Sequence, residues 1–113
     1  MKQIRNIIFH GRDFVSFYLE QAPNVQKKIE YVFTIIRQVE IIPIKFLKHI
    51  EGTEDLYEIR VEYQSNIYRI FCCFDHGNLV VLFNAFQKKT QKTPSKETER
   101  ALKSKDDYFK KKK

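Results

Sequence analysis

The spacing of apolar positions marks out helices and strands along most of the chain. Residues 1–10 alternate loosely between apolar and polar, and Ile4, Ile7, Ile8 and Phe9 add β-branched and aromatic weight, so a first strand is predicted that ends at Gly11. Asp13 is placed to cap a short helix reaching about Gln21, and Pro23 to open a second helix in its first turn. In that second helix Val25, Ile29, Val32, Phe33, Ile36 and Val39 recur at helical spacing, with Gln26, Lys27, Glu30 and Arg37 on the other face. Residues 42–55 carry Pro43 and Gly52 in a mixed run and read as a connecting loop with room for one helical turn. Three strand-like runs follow, LYEIRVEY (56–63), IYRIFCCF (67–74) and NLVVLFNAFQKK (78–89), separated by the hairpin-type turns Gln64-Ser65-Asn66 and Asp75-His76-Gly77. Thr93 as cap and Pro94 as first helical residue then predict a last helix to about Asp107.

Alternation along the strands also predicts which side chains share a face, because a slip of one residue moves every side chain to the other side. A two-residue turn at Ser65-Asn66 sets Tyr63 opposite Tyr68, Val61 opposite Ile70, Ile59 opposite Cys72 and Tyr57 opposite Phe74. A turn at His76-Gly77 sets Phe74 opposite Leu79, Cys72 opposite Val81, Ile70 opposite Phe83 and Tyr68 opposite Ala85. This face is apolar, and the helices are expected to cover it. The other face collects Glu58, Arg60, Glu62, Arg69, Phe71, Cys73, Val80, Leu82, Asn84, Phe86 and Lys88, with Arg69 between Glu62 and Asn84. Two readings stay open for it. One is a solvated face with a Glu62–Arg69 cross-strand ion pair. The other is an RNA surface, where arginine grips phosphate with two donors, lysine supplies a point charge and Phe86 offers a ring to an unstacked base.

Composition narrows the picture. The 113 residues, 42% hydrophobic with ten phenylalanines and six tyrosines, are expected to form one ordered domain over residues 1–109. Of the net charge of +7, four units are the lysines of 110–113, which read as a disordered basic tail and leave only +3 on the domain. No apolar run reaches the ~18 residues of a membrane span, and the N-terminus lacks a secretory pattern, so a cytoplasmic protein without membrane contact is expected. Cys72 and Cys73 are adjacent on one strand and point to opposite faces, which disfavours a bridge between them. Without paired His/Cys spacing or a glycine-rich phosphate loop, neither a metal nor a cofactor is expected.

The strings LYEIRVEY, YRIF (68–71), FQKKTQKTPSKETERA (86–101) and DDYF (106–109) resemble the RelE/HigB-type toxins of bacterial type II toxin–antitoxin pairs, in their phage-derived Gp49-like branch. The similarity covers residues 42–109 well and the helical hairpin by pattern only. It implies an α+β, RelE/ParE-like fold, with an antiparallel sheet, an N-terminal helical hairpin on one face and a C-terminal helix. It further implies a metal-independent endoribonuclease that cuts translated mRNA in the ribosomal A site. The implied partners are the ribosome, mRNA and a cognate helix-turn-helix antitoxin, with toxin–antitoxin heterotetramers. Carried over by position, Arg60, Arg69, Lys88 and Glu62 are the catalytic candidates, while Lys89, Phe86, Asn84, Lys92 and Lys48 are the RNA contacts.

Several members of the branch it resembles carry histidine where this chain has Asn84, and an amide exchanges no proton near neutral pH. The proton-transfer group is therefore left open among Glu58, Glu62 and the loop residues Lys45, Lys48 and His49. His10 and His76 read as structural or exposed. Two further functions fit such a fold: a ParE-like inhibitor of DNA gyrase, and a non-catalytic relative that binds only RNA or its antitoxin.

Overall fold

The computed structural model describes residues 3–89 and 94–112. Its elements are β1 (Asn6–Phe9), α1 (Asp13–Leu19), α2 (Pro23–Gln38), β2 (Leu47–His49), β3 (Tyr57–Tyr63), β4 (Asn66–Asp75), β5 (Leu79–Lys88) and α3 (Ser95–Lys111). Gly11 ends β1 at a φ of +79°, a backbone that side chains with a Cβ rarely adopt. Asp13 lies inside α1 rather than capping it: Arg12 holds the cap position without a side-chain bond, and the Asp13 carboxylate pairs with Arg100 of α3. Pro23 opens α2 as predicted, since a first-turn residue has no use for its missing N–H. Val25, Ile29, Val32, Phe33 and Ile36 are buried there, each stabilising the fold by about 1.5–3 kcal/mol. Val39 falls just past the end of the helix, at its C-cap.

One five-stranded sheet runs in the order β1-β5-β4-β3-β2. The neighbours β2–β3, β3–β4 and β4–β5 are antiparallel, whereas β1 lies parallel to β5, with Ile7 against Val80 and Ile8 against Val81. The segment expected to be a loop at 42–55 contains β2, which adds three residues to the edge of β3.

The first hairpin turns one residue earlier than expected, and the second turns through three residues where two were expected. Gln64 and Ser65, both with positive φ, form the first turn, so Tyr63 faces Asn66, Val61 faces Tyr68 and Arg60 faces Arg69. That two-residue change of partner leaves each side chain on its predicted face, since the strand period is two. In the second hairpin His76, Gly77 and Asn78 lie between the paired residues Asp75 and Leu79, and the register moves by one. Leu79, Val81 and Phe83 thereby change faces with Val80 and Leu82, against expectation. A β-bulge opposite Phe71 then sets Phe83 and Asn84 against one residue and restores parity, so that Phe86 faces Arg69 and Lys88 faces Ile67.

Both faces of the sheet are consequently packed. On one, α1 and α2 cover Ile59, Val61, Tyr68, Ile70, Cys72, Val80 and Leu82. On the other, α3 places Ala101, Tyr108 and Phe109 over a smaller core of Leu56, Phe71, Cys73, Val81 and Phe83. The adjacent cysteines divide between these cores, and both are free and buried.

The predicted basic tail is a correction. Lys110 and Lys111 continue α3, because Asp106 and Asp107 sit one turn earlier and pair with them at 3.0 and 3.3 Å. Lys112 reaches the buried carboxylate of Asp75 at 2.6 Å, and the Tyr108 hydroxyl donates to the same oxygen at 2.7 Å. His10 of the β1 end meets Asp107 at 2.7 Å, which makes it a structural residue. His76 stands exposed in its turn. Pro94 precedes the helix as its cap residue, and the predicted Thr93 cap lies outside the described residues.

Candidate functional site

The half of the α3-side sheet face that the helix leaves uncovered carries the charges. Pairing of β2 with β3 brings Lys48 opposite Glu58, and pairing of β3 with β4 brings Arg60 opposite Arg69. Lys48, Glu58 and Arg69, together with Lys88 near the end of β5, line a cleft of about 270 Å³ that is also lined by His49, Ile50 and Glu51, while Arg60 lies beside it as the cross-strand neighbour of Arg69. Glu58 and Arg69 are only 4% and 7% exposed, and their side chains form an ion pair through Arg69 Nη1 and Glu58 Oε2. The expected Glu62–Arg69 pair is not made. The shifted turn moved Glu62 two positions along, where it stays largely exposed and 3.8 Å from Arg60.

This site is electrostatically unbalanced. Arginines directly opposite each other on neighbouring strands repel. Glu58 pairs with Arg69 and Glu62 lies 3.8 Å from Arg60, while Lys48 and Lys88 add two cations against the one further carboxylate of Glu51, which leaves the cluster net positive. The Nε groups of both Arg60 and Arg69 are buried without a hydrogen-bond partner among the described residues. Loss of water, then the nearby guanidinium groups of Arg69 and Arg60, push the Lys88 ammonium below the usual lysine range; Lys48 adds to this and Glu58 opposes it. Lys88 lines the same cleft as Lys48, Glu58 and Arg69.

Of the other predicted site residues, Phe86 is half-buried with its ring 5.6 Å from Phe71, so it walls the α3 side rather than standing free. Lys89 is exposed just beyond β5. Asn84 does not reach the cleft: it is 1% exposed, and its amide donates to the Glu97 carbonyl at 3.1 Å and to Glu97 Oε1 at 2.9 Å. The bulge turned it beneath α3, which makes it an anchor for that helix. Lys92 lies outside the described residues. His49 alternates away from Lys48, with its ring 5.3 Å from Tyr57 and Nε2 donating to the Thr53 carbonyl at 3.0 Å, on the side of the main core. Glu58 is the residue that sequence reading left among several, and the signal that separates it from Glu62 is burial, which depends on β2.

Size alone would select other places. Depressions of about 410 Å³, at Lys27, Lys28, Tyr31 and Tyr63, and about 430 Å³, at Phe9, Val15 and Leu19, are larger than the cleft. Neither is lined by a buried charged group, and a convergent set of buried charges is the better mark of a chemical site. Among the described residues no three His, Cys, Asp or Glu side chains converge as a metal-ligand set.

The chain and its fold have known counterparts. The family described as phage-derived protein Gp49-like matches residues 17–106. No curated protein matches the chain. Among solved structures, a RelB–RelE antitoxin–toxin complex from Methanococcus jannaschii aligns at 20% identity with a TM-score of 0.56, covering 73% of this chain and 91% of that one. A RelE–RelB complex from Pyrococcus horikoshii OT3 aligns at 15% identity with a TM-score of 0.54, covering 73% and 92%. At these identities the likeness establishes the fold: the α+β architecture is that of the RelE chains.

Proposed function

The chain belongs to the phage-derived Gp49-like family, and from that premise we propose that it is the toxin of a type II toxin–antitoxin pair, a ribosome-dependent endoribonuclease that cuts translated mRNA in the ribosomal A site. The observation that carries this reading is the cross-strand pair Arg60 and Arg69, with both Nε donors unpartnered among the described residues and Lys48 and Lys88 beside them. Such a cluster costs folding free energy through repulsion and desolvation. A phosphodiester supplies the missing negative charge and the missing acceptors.

The reaction class follows from what the cleft can do. Attack of a ribose 2′-hydroxyl on the neighbouring phosphorus builds negative charge on the phosphate oxygens, and fixed cations in a partly dry cleft stabilise that charge. Arg60 and Arg69 hold the nonbridging oxygens. Lys88 is suited to protonate the departing 5′-oxygen, because a lysine with a depressed pKa gives up its proton more readily than a free one. Lys48 and Lys89 extend the positive surface along the RNA. The cognate partner is an antitoxin, as in the RelB–RelE complexes that share the fold. A metal is not required by this scheme, since the cations are side chains.

Induction in bacteria of the wild type and of Lys88→Ala, followed by mapping of message ends, tests the reading. Cuts phased with codons in the wild type and reduced at least 100-fold in the variant support it. Growth arrest with intact message and altered DNA supercoiling would support the gyrase-inhibitor reading instead.

A further inference from the structure

Arg69 meets Glu58 through Nη1, while its Nε has no partner among the described residues. A guanidinium presents its donors along separate edges, and the Nε–Nη2 edge is the pair of parallel N–H groups that fits two oxygens of a phosphate. Arg69 is more than nine-tenths buried at the wall of the cleft, so one rigid group has one edge taken by a carboxylate and, on a second edge, a buried Nε that lacks an acceptor among the described residues. Glu58 is itself buried and faced by Lys48 from β2, Arg69 from β4 and Lys88 from β5, with Arg60 on its own strand and Glu51 in the β2–β3 connection. Glu62 has none of this, being mostly exposed and beside Arg60 alone.

We propose that Glu58 takes the proton from the ribose 2′-hydroxyl, and that Arg69 holds this carboxylate and the scissile phosphate on two edges of one guanidinium, which sets the base beside the reacting phosphorus. The inference rests on the nuclease reading above and names the base for that same site. In the step, the 2′-oxygen–phosphorus bond forms as its proton passes to a Glu58 carboxylate oxygen. The phosphorus–5′-oxygen bond breaks as the departing oxygen receives a proton from Lys88. The products are a 2′,3′-cyclic phosphate end and a 5′-hydroxyl end, and exchange with water returns a proton to Lys88 and removes one from Glu58.

Two anions on one guanidinium also repel each other, and this gives a readout that a merely structural Glu58 would not produce. Glu58→Gln keeps an oxygen that accepts from Arg69 Nη1 but removes the negative charge next to the phosphate. With ribosomes programmed by a message carrying a single 2′-deoxy residue at the cut, Glu58→Gln is expected to bind about 3–10-fold more tightly than wild type. On the cleavable message it is expected to cut at least about 100-fold more slowly, the usual scale for losing a general base. Should Glu58→Gln fail to fold, Glu58→Asp keeps the charge on a shorter arm, and retained binding with cutting slowed about tenfold or more is expected. Weaker binding together with slower cutting would overturn the inference in favour of a positioning role, as would cutting at the wild-type rate. Wild type leaving the message intact would instead overturn the nuclease reading.

Discussion

Replacing Arg69 by methionine leaves the Glu58 carboxylate 4% exposed with its ion-pair partner gone. Breaking a buried pair from one side costs about 3–5 kcal/mol, because the remaining charge keeps its desolvation penalty. For a chain of 113 residues each kcal/mol corresponds to roughly 4 °C, so the melting midpoint should fall by about 12–20 °C. Replacing both partners, as Glu58→Gln with Arg69→Met, removes the stranded charge and should recover about 2 kcal/mol or more of that loss, a coupling typical of groups in direct contact. The Arg100–Asp13 pair provides an internal control. Its side chains are 58% and 40% exposed, so Arg100→Ala should cost about 1 kcal/mol or less. Urea and thermal unfolding followed by circular dichroism would measure these three variants and the single Glu58→Gln. If Arg69→Met costs no more than Arg100→Ala, or the double variant is simply the sum of its parts, the buried pair is not holding the cleft as described. The calculation also shows why Lys88→Ala, at a half-buried strand end, is the cleaner variant for testing activity.

Other outcomes follow from the same contacts. Lys48→Ala and Lys88→Ala should each weaken RNA binding and reduce the magnitude of its salt slope by about one, read by anisotropy over a salt series; an unchanged slope would argue against phosphate contact. Phe83→Ala should cost about 3–5 kcal/mol, since this 1% exposed ring fills the small core under α3, and hydrogen exchange should show α3 losing protection first. Hydrogen bonds from Lys112 and Tyr108 hold the Asp75 carboxyl below its usual range, and those from His10 and Lys111 do the same for Asp107. Because the folded pKa values are the depressed ones, this contribution is complete above the unfolded value of about 4 and is lost as pH falls through the folded values. The C-terminal half of α3 should therefore gain hydrogen exchange in acid before the sheet does, and a simultaneous loss would contradict the assigned anchors.

Much of this was legible from residue spacing, and the misses have definite causes. Helical spacing from Val25 to Ile36 and the alternation in YEIRVEY gave the main core, since burial on one face leaves a plain period. The β4–β5 pair escaped because residues 79–83 are apolar throughout, so alternation offers no choice between registers, and the turn and bulge chose instead. That choice placed Val81 and Phe83 under α3 and took Asn84 out of the site. β2 was missed because three residues are too few to show a period, yet it supplies Lys48 and covers Glu58. Arg60, Arg69 and Lys88 were found together despite the wrong partners, because the first hairpin shifted by two residues and the second returned to parity before Phe86.

The proposed function requires that the cleft of Lys48, Arg69 and Lys88, with Arg60 beside it, bind the phosphate of a message on the ribosome and cut beside it. Purified protein should be mixed with ribosomes programmed by one defined message, with the same message free in solution as a parallel sample, and the new 5′ ends mapped. The account predicts 5′-hydroxyl ends at codon-phased positions only in the programmed sample, and none with Lys88→Ala folded to the wild-type midpoint. A message that stays intact on the ribosome, while the same protein blocks supercoiling by gyrase, would contradict it.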